Sequence, residues 1–329
     1  MKTIAFFNNK GGVGKTTLVY HLSWMLTKLG YKVLAVDLDP QANLTSMFLP
    51  ENTLEDIWSE EAASQFTIMG ALSPIIRGTG DIAPAGLVQL HESLSLLPGE
   101  LALSQFEGEL SEAWGKCLDG KEPAFRTTSA FYRIIQSAGV TSGADVALVD
   151  VGPNLGTINR AVLIAADTLV VPLAPDLFSS QGLRNLGPTL GRWRKEWQTR
   201  LANNPAKDLA LPTGALEPMG YVLLQFGARD NRPVRAYDRW AQKIPDTYQR
   251  FVLAEATSNP VPPELDTRCL GMLKHYRSLM PLAMEARKPV FELKAADGAI
   301  GAHTNAVQAA YDDFAALAVT ILASVGGLR

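Results

Sequence analysis

Cysteine is scarce in this chain of 329 residues: there are two, Cys117 and Cys269, far apart and outside any CxxC pair. That excludes a disulfide framework and a cysteine-based structural zinc site, and it suits a reducing compartment, so a cytoplasmic location is expected. Missing too is any run of about 18 apolar residues of the kind that crosses a bilayer. The start, MKTIAFFNNK, holds four consecutive apolar residues before it turns polar, too few for the core of a secretion signal. Internal repeats and low-complexity tracts are absent. What the chain does have is 47% apolar residues, enough to bury a sizeable core.

A strong net charge is also lacking, since the formal value is −3, but the charge is unevenly spread. Residues 1–150 hold 10 Lys and Arg against 17 Asp and Glu, whereas residues 151–329 hold 20 against 16. Between Arg184 and Lys288 the basic surplus is 17 against 10, a local excess able to meet an anionic polymer. A plain solvated surface accounts for the same counts equally well.

Short apolar runs alternate with amphipathic stretches. TIAFF (3–7), KVLAVDLD (32–39), SLSLLPG (93–99), DVALVDVG (145–152), TLVVPLAP (168–175) and GYVLLQF (220–226) read as strands, and LVYHLSWMLTKLG (18–30) as a helix with Gly30 as its C-cap. Such a series predicts one α/β domain over 1–329: a doubly wound, mostly parallel sheet with helices on both faces and ligands at the carboxyl ends of the strands. Residues 51–92 and 199–217 read as surface inserts on it, the second rich in Pro, Asn and Gly for an internal connection and expected to be mobile.

The chemistry gathers at strand ends. NNKGGVGKTTL (8–18) joins the first strand to the first helix in the layout of a phosphate-binding P-loop. Its backbone N–H groups cradle phosphate oxygens, and Gly11, Gly12 and Gly14 let that backbone approach, with Val13 and Thr17 in the same cradle. Lys15 is placed to reach the β- and γ-phosphates of ATP, and Thr16 to offer its hydroxyl to Mg²⁺. Asp37, Asp39 and Asp150 each end an apolar run, where a hydrated Mg²⁺ is the natural partner for their charge. Asp39 before Pro40 also suits a turn, and the two readings are compatible.

Asn9 and Lys10 stand where a P-loop more often begins with glycine. KGGVGKTT (10–17) resembles the deviant motif of the ParA/MinD family of P-loop ATPases, and the ParA branch in particular. VDLDPQANLT (36–45), LSLLPGELALSQFE (94–107), ADVALVDVGPNLGTINRAVLIAADTLVVPLAP (144–175) and KPVFELKAADGAIGAHTNAV (288–307) are similar to further segments of that family. The resemblance implies that Lys10 crosses a dimer interface to touch the partner's nucleotide, so that two ATP molecules hold two subunits together. It further implies that Asp150 holds Mg²⁺ through water, that Asp39 positions the attacking water, and that Asp37 supports the metal shell. Adenine is then expected near Gln225 to Arg229 and near Pro172 to Asp176. VGPN (151–154) stands where the family more often has two prolines, in the segment that senses γ-phosphate.

By the same resemblance the ATP-bound dimer binds DNA without sequence preference, which directs attention to Arg184, Arg232, Arg235 and Arg239. Asn231-Arg232-Pro233 reads as a helix start that puts Arg232, Arg235 and Arg239 on one face. Pairing of the late arginines with Asp230, Asp238 and Glu196 is the alternative. A ParB-like or other adaptor would then stimulate slow hydrolysis and link the switch to a plasmid, chromosome or protein assembly. Since Met1 and Lys2 alone precede the first strand, an operator-binding helix-turn-helix is not expected. A MinD-like membrane switch would need a basic amphipathic C-terminus, and YDDFAALAVTILASVGGLR (311–329) has two acids and one terminal arginine, so no stable membrane association is expected. An iron-protein role would need cluster cysteines elsewhere, and an amide-forming synthetase would have no use for Lys10. A regulator in another system, such as defence, would use the same ATP switch.

Overall fold

The apolar runs become one sheet in the computed structural model of the protein, which describes residues 1–59, 66–226, 234–256 and 261–326. Its strands are β1 (Lys2–Phe6), β2 (Val33–Leu38), β3 (Val88–His91), β4 (Leu94–Leu97), β5 (Val146–Val151), β6 (Thr168–Leu173), β7 (Glu217–Phe226) and β8 (Cys269–Lys274). They lie in the order β3-β4-β2-β5-β1-β6-β7-β8. All pairings are parallel except the β3–β4 hairpin at one edge. Every residue of β2, β5 and β6 is buried, as central parallel strands covered on both faces require.

Alternation along β1 sends Ile4 and Phe6 to one face and Ala5 and Phe7 to the other. On the first face lie α1 (Lys15–Lys28), α2 (Asn43–Phe48) and α3 (Glu51–Ile57). The chain then crosses to the second with α4 (Ile68–Ile76), α5 (Phe106–Lys116), α6 (Glu122–Thr128), α7 (Ala130–Ser142), α8 (Thr157–Ala165), α9 (Leu177–Ala202), α10 (Val234–Ala241) and α11 (Ile244–Thr247). It returns to the first with α12 (Leu279–Ala286) and α13 (Ala302–Ser324). Among the described residues α13 is the helix whose length and mean hydropathy, 1.3, meet those of a membrane span. Its Ala310, Phe314, Leu317, Ala318 and Ile321 are buried in the core beside α1.

Two details of the sequence reading change in scale. The first helix starts three residues earlier than its apolar period, at Lys15, and ends in a Schellman turn: Gly30 N–H donates to Thr27 and Tyr31 N–H to Leu26, with Gly30 at φ +90°. The stretch 51–92 supplies α3, α4 and the edge strand β3, and puts Ile68, Ala71 and Leu72 in the core. The connection 203–216 lies along α9, where the Pro212 carbonyl accepts from the Trp197 indole at 2.9 Å. Trp193 and Trp197 are core residues, and Trp197 stacks on Trp114 with ring centres 5.8 Å apart.

Because β1 is flanked by β5 and β6, the chain winds one way from β1 through β2 to β4 and the other way from β6 through β7 to β8. The crevice at that reversal, at the carboxyl ends of β1, β2 and β5, is where an open α/β sheet takes its ligand.

Candidate active site

The loop between β1 and α1 is shaped by its glycines. Gly12 and Gly14 have φ of +74° and +94°, conformations that glycine adopts without cost, and Gly14 is the N-cap residue of α1. Asn8, buried, donates from its side-chain amide to the Pro172 carbonyl at 2.6 Å and accepts from Lys10 N–H at 3.1 Å, so the loop is tied to the end of β6. At the far end of the loop, a Cβ on Gly14 would lie 3.5 Å from Leu224 of β7. Residues 10–17 line a cleft of about 720 Å³, which also takes in Tyr20, His21 and Asp39.

Beneath the cleft the parallel register of β2 and β5 sets Asp37 beside Asp150. Lys15 contacts the Asp150 carboxylate, and its ammonium lies 3.9 Å from Asp39. Thr16 donates its hydroxyl to Asp150 at 2.7 Å. Asp37 accepts from the Thr45 N–H and hydroxyl at 2.8 and 2.7 Å, and weakly from Asp39 N–H at 3.3 Å. Asp39 closes the Asp-Pro turn by accepting from Gln41 N–H at 3.0 Å, as the turn reading expects, while its other oxygen lies 3.9 Å from the Lys15 ammonium.

Burial, and then the neighbouring Asp150 charge, push the Asp37 carboxyl up to about 7 against the Thr45 bonds and Lys15. Burial raises Asp150 as well, with Lys15 and Thr16 offsetting part of the rise. Three buried carboxylates therefore share one lysine. A Thr hydroxyl next to a buried carboxylate, with surplus negative charge behind it, fits a magnesium ion that brings its own waters and phosphate oxygens. Residue by residue, Lys10, Gly11, Gly12, Val13, Gly14, Lys15, Thr16, Thr17 and Asp39 line the one cleft, with Asp37 and Asp150 beneath it.

Lys10 does not contact those carboxylates. It pairs with Asp176, whose other oxygen caps α9 by accepting from Ser179 N–H at 2.8 Å, and it lies 5.8 Å from the centre of the Phe178 ring. The lining also holds residues that motif and spacing do not flag, Met47 of α2, Met280 and Met284 of α12, and Arg287, together with Lys288, the first residue of the 288–307 segment. No sequence signal marks methionines for a cleft. Asp176 carries one, because Asp after Pro175 and before a long periodic stretch is an N-cap pattern.

Of the four candidate arginines, the side chains of two are described. Arg184 is exposed on α9 with its guanidinium 4.8 Å from the Phe251 ring centre, and exposed Arg239 lies 5.9 Å from that of Trp240. Arg192 faces Glu196 at 4.0 Å, as the pairing alternative expects. Arg232 and the side chains of Gln225 and Arg235 lie outside the described residues; the backbone of Gln225 is in β7, one residue beyond Leu224.

Comparison with known proteins places this geometry among others. Residues 1–203 match the AAA_31 family, described as an AAA domain. Over 200 residues the chain is 30% identical to the sporulation initiation inhibitor protein Soj of Bacillus subtilis, covering 61% of this chain and 69% of that one. It is 27% identical over 280 residues to the chromosome partitioning protein ParA of Caulobacter vibrioides, covering 82% and 90%. Some other curated relatives are matched over less than half of their own length. Among solved structures, protein DIP2308 of Corynebacterium diphtheriae superposes with a TM-score of 0.74 at 25% identity, covering 99% of each chain. A cobyrinic acid a,c-diamide synthase of Mycobacterium smegmatis, solved with bound ADP and magnesium, gives 0.52 at 25% identity over 76% of this chain and 83% of that one.

Proposed function

The chain belongs to the AAA_31 family, in the ParA and Soj group of P-loop ATPases, and on that premise we propose that it is a magnesium-dependent ATPase that dimerises on ATP, binds DNA nonspecifically and positions a cargo. The observation that carries this reading is the set of groups around Asp150, which contacts Lys15 and Thr16 at the end of a buried strand beside Asp37. An arrangement with surplus buried carboxylate and a left-handed glycine loop is suited to a magnesium nucleotide and to little else.

In the proposed cycle the N–H groups of residues 11–17 bind the phosphates, and Lys15 exchanges Asp150 for β- and γ-phosphate oxygens. Bound magnesium would neutralise charge developing on those oxygens, held by Thr16 directly and by Asp150 through water, with Asp37 behind it. Asp39 orients the water that attacks the γ-phosphorus, giving ADP and phosphate. Lys10 leaves Asp176 and reaches the triphosphate of the facing subunit. A triphosphate enclosed between two proteins needs cations from both, or its desolvation is left uncompensated. Arg184, Arg232, Arg235 and Arg239 supply phosphate contacts to DNA, and an adaptor of the ParB kind triggers hydrolysis.

Three variants test the site. Lys15→Ala is expected to abolish ATP binding in titration calorimetry, Lys10→Ala to bind ATP as a monomer, and Asp39→Ala to remain an ATP-bound dimer that does not turn over. An Asp39→Ala protein that stays monomeric in ATP would refute the role assigned to that residue.

A further inference from the structure

The cleft has two halves of different chemistry. One is the phosphate loop. The other is a bay walled by Tyr20, Met47, Met280 and Met284, with the cations Arg287 and Lys288 beside them, and Met284 is 65% exposed. Beside Lys10 of the phosphate loop, the first turn of α9 carries two exposed apolar side chains, Leu177 at 44% and Phe178 at 69%. Two adjacent exposed apolar side chains form the kind of contiguous patch that marks an interaction site.

We propose that the bay receives Phe178 of a second copy of this chain, so that each protomer of the ATP dimer inserts one aromatic ring into its partner's methionine wall. The inference rests on the ATP-dependent dimer proposed above and names the side chains that set its fit. Charge complementarity selects the occupant. Once filled by a triphosphate, the loop half of the cleft presents negative charge to whatever faces it. This chain carries a cation and an exposed aromatic together at Lys10 and Phe178, 5.8 Å apart. When Lys10 reaches the facing triphosphate, the first turn of α9 beside it is brought against the partner's cleft, with Phe178 facing the bay that adjoins that phosphate site. A two-fold dimer makes the contact reciprocal, so knob and hole must both be present on one chain, as they are. Methionines suit the task, since unbranched thioethers adapt to a ring and make favourable contacts with its edge.

Two measurements test this. Phe178→Ala is expected to bind a nonhydrolysable ATP analogue as the wild type does, yet to dimerise at least tenfold more weakly by sedimentation velocity, while Phe178→Leu retains most of the association. Phe178→Cys combined with Met284→Cys is expected to give a covalent dimer under mild oxidation with the analogue and magnesium, but not with ADP, the single-cysteine variants controlling for Cys117 and Cys269. If the wild type dimerises and Phe178→Ala dimerises equally well, or the cysteine pair dimerises without cross-linking, the inference is wrong and the ATP dimer stands. Loss of analogue binding in Met284→Cys would assign the bay to the nucleotide instead and also overturn it. A wild type that stays monomeric with the analogue bound would overturn both.

Discussion

Lys10 and Lys15 are five residues apart in sequence and end in different places, one on Asp176 at the rim and the other on Asp150 in the core. The rim pair is about one-third exposed on both sides, so it is worth only ~0.2–1 kcal/mol. That is weak enough for a nucleotide to break. Asp176→Asn keeps an N-cap for α9 while removing the charge that holds Lys10. It should therefore tighten ATP-dependent dimerisation by up to about fivefold, measured by sedimentation, and no tightening would show that the pair does not restrain Lys10. His21 makes a second case. Full burial lowers its imidazole to about 4 against the opposing effect of the Thr17 carbonyl, so it folds neutral. An ordinary histidine binds its proton near pH 6.5, so this stabilisation is whole above that pH and is lost as the pH falls through about 4, a cost of ~3 kcal/mol. His21→Phe should remove part of the fall in urea midpoint between pH 7 and 4.5; an unchanged slope would mean that His21 is not the group being protonated.

Elements differ in how plainly they were written. β2, β5 and β6 were legible because strands buried on both faces are rich in Val, Leu and Ala, broken here only by Asp37, Asp150, Thr168 and Pro172. β3 and β8 were not. VQLH is a short antiparallel edge with alternate half-exposed residues, and CLGMLK is interrupted by glycine and half-buried, so neither offers an unbroken apolar signal. The phosphate loop was legible because its backbone geometry demands glycine at fixed places, whereas the methionine wall comes from helices that meet the loop through tertiary packing alone. The long helix α9 shows a further constraint. A Cβ on Gly187 would lie 1.6 Å from the Phe251 carbonyl oxygen, which belongs to the turn Tyr248–Val252 packed on that helix. Gly187→Ala must push this backbone away and should destabilise the fold by ~1–3 kcal/mol in urea unfolding. A neutral result would show that the turn is free to move.

At the scale of the whole molecule the acidic first part holds the loop and its carboxylates, and the basic surplus comes later, from Arg184 onward. That division suits a protein whose nucleotide state is set in one place and whose anionic partner is met in another. Replacing Arg184 and Arg239 with alanine should weaken retention of any duplex alike and flatten its salt dependence, by a slope of about 0.9 for each phosphate no longer neutralised. An unchanged slope would contradict the DNA contacts proposed for these two arginines. The doubly wound topology was legible from the order of runs and motifs, but Lys10's partner in this conformation was not, because Asp176 lies 166 residues away. The central claim is that Lys10 joins two subunits through ATP. Sedimentation velocity of the wild type and Lys10→Ala, each saturated with a nonhydrolysable ATP analogue and magnesium, tests it most directly. The account predicts twice the chain mass for the wild type and a nucleotide-bound monomer for the variant; a monomeric wild type, or a variant that dimerises as well as the wild type, would contradict it.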